Sequence, residues 1–204
     1  MDRVVVADDH PLFRAAIAAA LMRAAPGASV EETSSLAGAR EALSRGVVDL
    51  LLLDLKLTDS EGFSGLVELR GQFTAVPIVV VSASEDAATV RRVRAFGAAG
   101  FIPKSATLEE MAAGLSAVRA GDSWFPPLGE DAVDPMVERI ASLTPSQLKI
   151  LIGLQQGRLN KQIAFDLGVT EATIKAHLTS VFRKLGVQNR TQAVIAAQSL
   201  ALEP

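Results

Sequence analysis

Two apolar runs in this chain end in carboxylates. Val4-Val5-Val6-Ala7 leads into Asp8-Asp9, and Leu50-Leu51-Leu52-Leu53 leads into Asp54. Such runs are how parallel strands buried on both faces read, and open α/β sheets bind ligands at the carboxyl ends of their strands. Three acids meeting there repel one another unless a cation joins them. Hard oxygen donors suit Mg²⁺, and the chemistry that follows is phosphoryl transfer onto an aspartate. Asp54 is the candidate acceptor. Asp9 offers a direct oxygen to the metal, Asp8 acts directly or through water, and the backbone carbonyl of Lys56 completes the protein ligands. Ser82 ends a further apolar run, Ile78-Val79-Val80-Val81, and Lys104 follows Phe101-Ile102-Pro103. Their hydroxyl and ammonium would hold the phosphoryl oxygens. Little else is needed, because this transfer rests on positioning and charge. His10 is a poor ligand for a hard ion, and Asp9-His10-Pro11 reads better as a helix start.

The elements that position these residues alternate. Strands are expected over Arg3–Ala7, Ser29–Thr33, Leu50–Asp54, Ile78–Ser82 and Ala99–Ile102. Helical patterns fill the intervals: Pro11–Ala25, Leu36–Arg45, Gly62–Gln72, Asp86–Phe96 and Thr107–Arg119. Pro26-Gly27 and Gly97 punctuate them. This alternation predicts an α/β fold, a doubly wound five-stranded parallel sheet with helices on both faces. Residues 120–135, with Gly121, Pro126, Pro127, Gly129 and Pro135, read as a linker, with a short helix starting near Asp134.

From residue 142 onward the patterns are helical only. Thr144-Pro145-Ser146-Gln147 is a capping box with proline at the first helical position. Asn160 is expected to cap a helix over Lys161–Leu167, and Thr170 one over Glu171–Leu185; a last helix runs from Arg190 to Leu200. Helix, glycine turn, helix is the helix-turn-helix pattern. Ile174, Leu178, Val181 and Leu185 form the core stripe of the second of these. Thr173, Lys175, Ala176, Thr179 and Arg183 point elsewhere, toward a major groove. Lys161, Lys175, Arg183, Lys184 and Arg190 are candidates for phosphate contacts. Charge agrees. The chain of 204 residues carries a net −3, but residues 1–138 hold 12 Lys and Arg against 20 Asp and Glu, or −8, while residues 139–204 hold 8 against 3, or +5. A basic tail domain suggests nucleic acid.

Residues 1–120 resemble the receiver domain of two-component response regulators, through Asp8, Asp9, Asp54, Ser82 and Lys104 in order at strand ends. The resemblance implies a flavodoxin-like strand order 2-1-3-4-5, Mg²⁺ at the acid pair and a sensor histidine kinase as phosphoryl donor. It also implies a switch in which Ser82 moves to the phosphate and Phe101 turns inward. Ser105 departs from the family, which often has proline after the lysine. Leu143 to Ala193 resembles the DNA-binding module of the LuxR/NarL class, through Leu159-Asn160-Lys161-Gln162-Ile163-Ala164, Leu167-Gly168-Val169, Thr173-Ile174-Lys175-Ala176-His177, Lys184-Leu185-Gly186-Val187 and Arg190-Thr191-Gln192-Ala193. Three positions depart: Gln147 stands where an acid is usual, Ser180 where Asn is common, and Leu159 replaces a small polar residue.

The expected organisation is a receiver over 1–120, a linker over 121–141 and a small all-α helix-turn-helix domain over 142–204. The expected function is a phosphorylation-switched, DNA-binding transcriptional regulator rather than an enzyme. Its partners would be a sensor histidine kinase, double-stranded DNA and a second copy of itself, at least when phosphorylated or on DNA, paired through the last helix. An alternative is a DNA regulator with a vestigial receiver, which the intact acid set opposes. An Asp-nucleophile phosphatase wants a second acid two residues after the nucleophile, where Lys56 stands. The chain has no cysteine, so no disulfide and no thiolate metal site. No signal-peptide core follows Met1-Asp2-Arg3-Val4, and Val47 to Leu55 is too short to cross a bilayer, so a cytoplasmic protein is expected.

Overall fold

The computed structural model describes residues 2–128 and 134–201; residues 129–133 of the expected linker and the terminal 202–204 lie outside the described residues. The first half alternates β1 (Arg3–Ala7), α1 (Pro11–Ala24), β2 (Ser29–Thr33), α2 (Leu36–Ser44) and β3 (Leu50–Asp54). It continues through a short antiparallel ribbon, β4 (Lys56–Leu57) and β5 (Ser60–Glu61), then α3 (Ser64–Gln72), β6 (Ile78–Ser82), α4 (Ala87–Ala95), β7 (Gly100–Pro103) and α5 (Leu108–Arg119). Five of the strands form one parallel sheet, ordered β2-β1-β3-β6-β7. The sequence reading held for this order; the ribbon is an addition, and α3 starts at Ser64 rather than Gly62.

The strand sequences explain their places. Leu50, Leu51, Leu52 and Leu53 are at most 1% exposed, because helices cover both faces of this central strand. Successive residues point to opposite sides. Leu51, Leu53, Val80 and Phe101 join the core under α2, α3 and α4, while Leu50, Leu52, Val79 and Ile102 join the core under α1 and α5. β2, at the sheet edge, is mostly exposed and reads Ser29-Val30-Glu31-Glu32-Thr33. Its acids are paired across the edge with Arg3 and Arg14.

The second half holds α6 (Pro135–Ala141), α7 (Pro145–Gln155), α8 (Asn160–Asp166), α9 (Glu171–Leu185), α10 (Arg190–Ala196) and a 3₁₀ turn, Ala197–Leu200. The Thr144–Gln147 capping box is present, with Gln147 N bonding Thr144 Oγ1 at 3.3 Å and Thr144 N bonding Gln147 Oε1 at 3.0 Å. Two expectations shift. Asn160 is the first residue of α8 rather than its cap, since Leu159 N donates to Gln162 Oε1 at 2.7 Å. The last helix tightens to 3₁₀ after Ala196, where Leu200 O accepts from Phe63 N at 2.8 Å.

That bond lies within a larger contact. The core under α3 and α4 runs without a break into the C-terminal helices. Helix α3 lies against α7, and α4 against α6. A Cβ added at Gly71 of α3 would stand 3.0 Å from Pro145 Cγ of α7.

Candidate functional site

Strand register alone brings the rim residues together. Ala7 pairs with Leu53, so Asp8 and Asp54 follow one another's strands side by side. Asp54 pairs with Val81, and Ser82 with Pro103, so Ser82 and Lys104 come next along the same rim. Asp8 and Ser82 are each 1% exposed and Asp54 is 5% exposed. The Lys104 ammonium lies between two carboxylates, with Nζ 2.7 Å from Asp54 Oδ2 and 2.6 Å from Asp8 Oδ2. Lys104 N donates to Ser82 O at 2.9 Å, tying the lysine to the end of β6.

The remaining bonds set which oxygens are free. Asp54 Oδ1 accepts from Lys56 N at 3.1 Å, and Asp8 Oδ1 accepts from His10 N at 2.7 Å. Ser82 Oγ accepts from Ser84 N at 3.1 Å. His10 caps the start of α1, as its sequence context suggested, and its Nδ1 lies 2.6 Å from Asp9 Oδ1. Ligand-type atoms of Asp8, Asp9, His10 and Asp54 lie within 4.8 Å of one another. Asp8 Oδ2 and Asp9 Oδ1 are buried atoms, and each is met by a single nitrogen at 2.6 Å, Lys104 Nζ and His10 Nδ1 respectively. Buried carboxylate oxygens with open lone pairs are the donor set a hard divalent ion takes. The site therefore fits Mg²⁺ through Asp8, Asp9 and Asp54. Lys56 lines the same cleft.

Electrostatics follow from burial. Asp54 is held above its ordinary carboxyl range, because burial outweighs the bonds from Lys104 and Lys56, and Asp8 adds repulsion. Burial pushes the Lys104 ammonium down, but the carboxylates of Asp54 and Asp8 overcome it and raise it on balance. A carboxylate that ionises reluctantly between another acid and one ammonium gains from a second cation.

The cleft above these groups measures about 430 Å³, with Leu12, Phe13 and Ala83 among its walls. Phe13 belongs to no motif that singles it out in the sequence. Its ring centroid is 4.8 Å from Lys104 Nζ, so its π face backs the ammonium from the α1 side. Its only sequence signal is its place in the first turn after Asp8-Asp9. Phe101 is fully buried in the core under α4.

The C-terminal candidates divide. Ile174, Leu178, Val181 and Leu185 are buried as the stripe predicted, and Gly186 ends α9 in the left-handed region at φ 71°. Lys175, Ala176, Thr179 and Arg183 are exposed on one outward face, with Thr173 half-buried at its start. Lys161 is exposed on α8. Lys175 pairs with Glu171 Oε1 at 3.2 Å, and the other two cations bond backbone and side-chain oxygens. Lys184 Nζ donates to Ser142 O at 2.9 Å. Arg190 reaches Arg158 O at 2.5 Å and Asn160 Oδ1 at 3.4 Å. Both therefore also brace the bundle, a contact their sequence context does not reveal. Two family departures meet: Gln147 Nε2 donates to Ser180 Oγ at 3.1 Å.

Residues 4–116 match the response regulator receiver domain, and residues 141–197 match the luxR family of bacterial regulatory proteins. The chain is 35% identical to the glycerol metabolism activator of Pseudomonas putida, over 97% of this chain and 95% of that protein. It is 32% identical to the nitrate/nitrite response regulator protein NarP of Escherichia coli K12, over 95% and 93%. Among solved structures, RcsB from Salmonella enterica serovar Typhimurium, bound to promoter P1flhDC in the presence of phosphomimetic BeF₃⁻, shares the fold with a TM-score of 0.58. It covers 98% of this chain and 99% of that one at 22% identity.

Proposed function

Because the chain belongs to the response regulators that join a receiver domain to a LuxR-family DNA-binding domain, we propose that its switch is phosphorylation of Asp54 by a sensor histidine kinase. The convergence of Asp8, Asp54 and Lys104 at one buried rim carries this reading. In the transfer, an Asp54 oxygen bonds to phosphorus as the phosphorus–nitrogen bond of the donor histidine breaks. Lys104 moves from pairing two carboxylates to holding a phosphoryl oxygen, and the Ser82 hydroxyl takes another. Mg²⁺, held by Asp8, Asp9, Asp54 and the Lys56 carbonyl, would supply charge neutralisation between acceptor and phosphate.

The receiver spans 1–120, the linker 121–141 and the DNA-binding domain 142–204. Thr173, Lys175, Ala176, Thr179 and Arg183 present the reading face of α9 to double-stranded DNA, with Lys161 on the adjacent backbone. Two copies pair on DNA through the last helix, where Ile195 is 57% exposed. The opposite side of that helix holds Ala193, Ala196 and Leu200, all buried, so pairing uses the outer side or follows release from the receiver. Phosphate shifts the balance between these arrangements, by no more than its differential affinity for them. No helix among the described residues is long and apolar enough to cross a membrane. The proposed work on DNA, with a kinase as donor, supports a cytoplasmic protein. Phosphotransfer to wild type and to Asp54→Asn tests the acceptor. Labelling that needs Mg²⁺ and vanishes in the variant is expected; Mg²⁺-dependent labelling that persists refutes it.

A further inference from the structure

β7 is the last strand of the sheet, and an edge strand presents unpaired N–H and C=O groups. Part of the expected linker fills that edge. Trp124 N donates to Ala99 O at 3.1 Å and Phe101 N donates to Trp124 O at 2.7 Å, a parallel bridge about Gly100. Two glycines make the room. A Cβ at Gly100 would stand 2.9 Å from Trp124 O, and one at Gly114 of α5 would stand 2.7 Å from Trp124 Cδ1. The next residue, Phe125, lies under α4, with the Arg94 guanidinium 4.5 Å from its ring centroid. Pro126 and Pro127 then hold the chain extended.

The partner of that backbone bond matters. Phe101 is fully buried, and its strand leads directly to Lys104, whose Nζ contacts Asp54 and whose N bonds Ser82 O. One strand of four residues therefore joins the acid rim to Trp124. Helix α4, which holds Phe125, also contacts the C-terminal domain: Arg92 Nη1 lies 3.4 Å from Ala201 O.

We propose that Trp124-Phe125 is a latch on the edge of β7, and that its seating on Gly100, Gly114 and Arg94 carries the state of the acid rim to the DNA-binding helices. The inference rests on Asp54 being the phosphate acceptor, and it adds the physical link between that event and DNA affinity. Seated and released latches are two discrete arrangements, which coupling between distant sites requires.

Trp124 is the chain's single tryptophan, so its emission reports the latch alone. The test uses full-length protein, beryllofluoride with Mg²⁺, and a duplex selected on the same protein from random sequence. ¹⁹F resonance of bound beryllofluoride reports occupancy independently. Wild type should show a shifted Trp124 emission on binding and a change in DNA affinity of about tenfold, an ordinary coupling. Gly114→Ala, which drives a methyl into the ring, should keep beryllofluoride bound while that change falls below about twofold; Trp124→Leu should do the same. Full coupling in both variants overturns the proposal, as does unchanged Trp124 emission with beryllofluoride bound. If wild type binds no beryllofluoride, the acceptor reading fails, and the DNA arm then decides the latch. Duplex binding must shift Trp124 emission by reciprocity, and an unmoved spectrum overturns it.

Discussion

Replacing Lys104 with methionine should destabilise the receiver in a way that metal and acid both repair. The Lys104 side chain is 15% exposed, and its ammonium contacts carboxylates of side chains 1% and 3% exposed. Removing one partner of a buried ion pair costs about 3–5 kcal/mol, because the remaining charges lose compensation. The site opens onto a cleft of about 430 Å³, through which water can reach the carboxylates, so the lower part of that range applies. A loss of about 3 kcal/mol lowers the melting temperature of a unit of this size by about 10 °C. The sign with pH is fixed. Asp54 is already raised above its ordinary 3.8, and Lys104 is its strongest downward influence, so the variant raises it further. A carboxyl raised in the folded state lowers stability as pH climbs through the raised value, and does not below the unfolded one. The deficit should be full at pH 8 in EDTA, shrink toward acid pH, and shrink also on adding Mg²⁺ at pH 8. Thermal unfolding of wild type and Lys104→Met across those conditions measures it. Equal melting temperatures in EDTA at pH 8, or a deficit indifferent to both pH and Mg²⁺, would refute the account of the acid rim.

Gly71→Leu should push Pro145 away, since even a Cβ would come to 3.0 Å; small-angle scattering should show a larger radius of gyration, with beryllofluoride binding unchanged. Lys175→Ala and Arg183→Ala should each flatten the salt dependence of DNA affinity by roughly one unit of slope. Lys184→Ala should leave that slope alone and instead lower thermal stability, because its ammonium bonds Ser142 O. Gln147→Leu removes the bond that Thr144 N donates to Gln147 Oε1 and the bond to Ser180, which should cost about 1–2 kcal/mol in chemical unfolding. Gln147→Glu should be close to neutral, since its carboxylate can still accept from the Thr144 amide and from the Ser180 hydroxyl.

The acid rim was legible because its strands are apolar runs cut off by a polar residue, a pattern that fixes both burial and direction. The ribbon Lys56–Leu57 with Ser60–Glu61 was not, since two residues a side carry no periodicity. Lys184 and Arg190 have a bracing contact that was hidden for a different reason. A cation's charge is visible in sequence, but the carbonyl that captures it depends on where a distant turn passes. Trp124 was hidden by its own neighbours. Residues such as Asp122, Pro126 and Pro127 read as linker, and pairing to an edge leaves no alternation. The isolated Gly114 inside an otherwise helical pattern was the available hint, because such a glycine usually has a packing reason.

The receiver grips the C-terminal helices through α6, α7 and the final turn, and the outward side of α9 stays bare. A molecule of this shape can therefore scan a chromosome, held by the weak, salt-sensitive attraction that all duplexes exert on lysine and arginine. Signalling would then act on residence at chosen promoters rather than on access to the genome. Single-molecule tracking in cells without the kinase should find short, diffusive DNA encounters; their absence would mean that the bare face is covered in vivo.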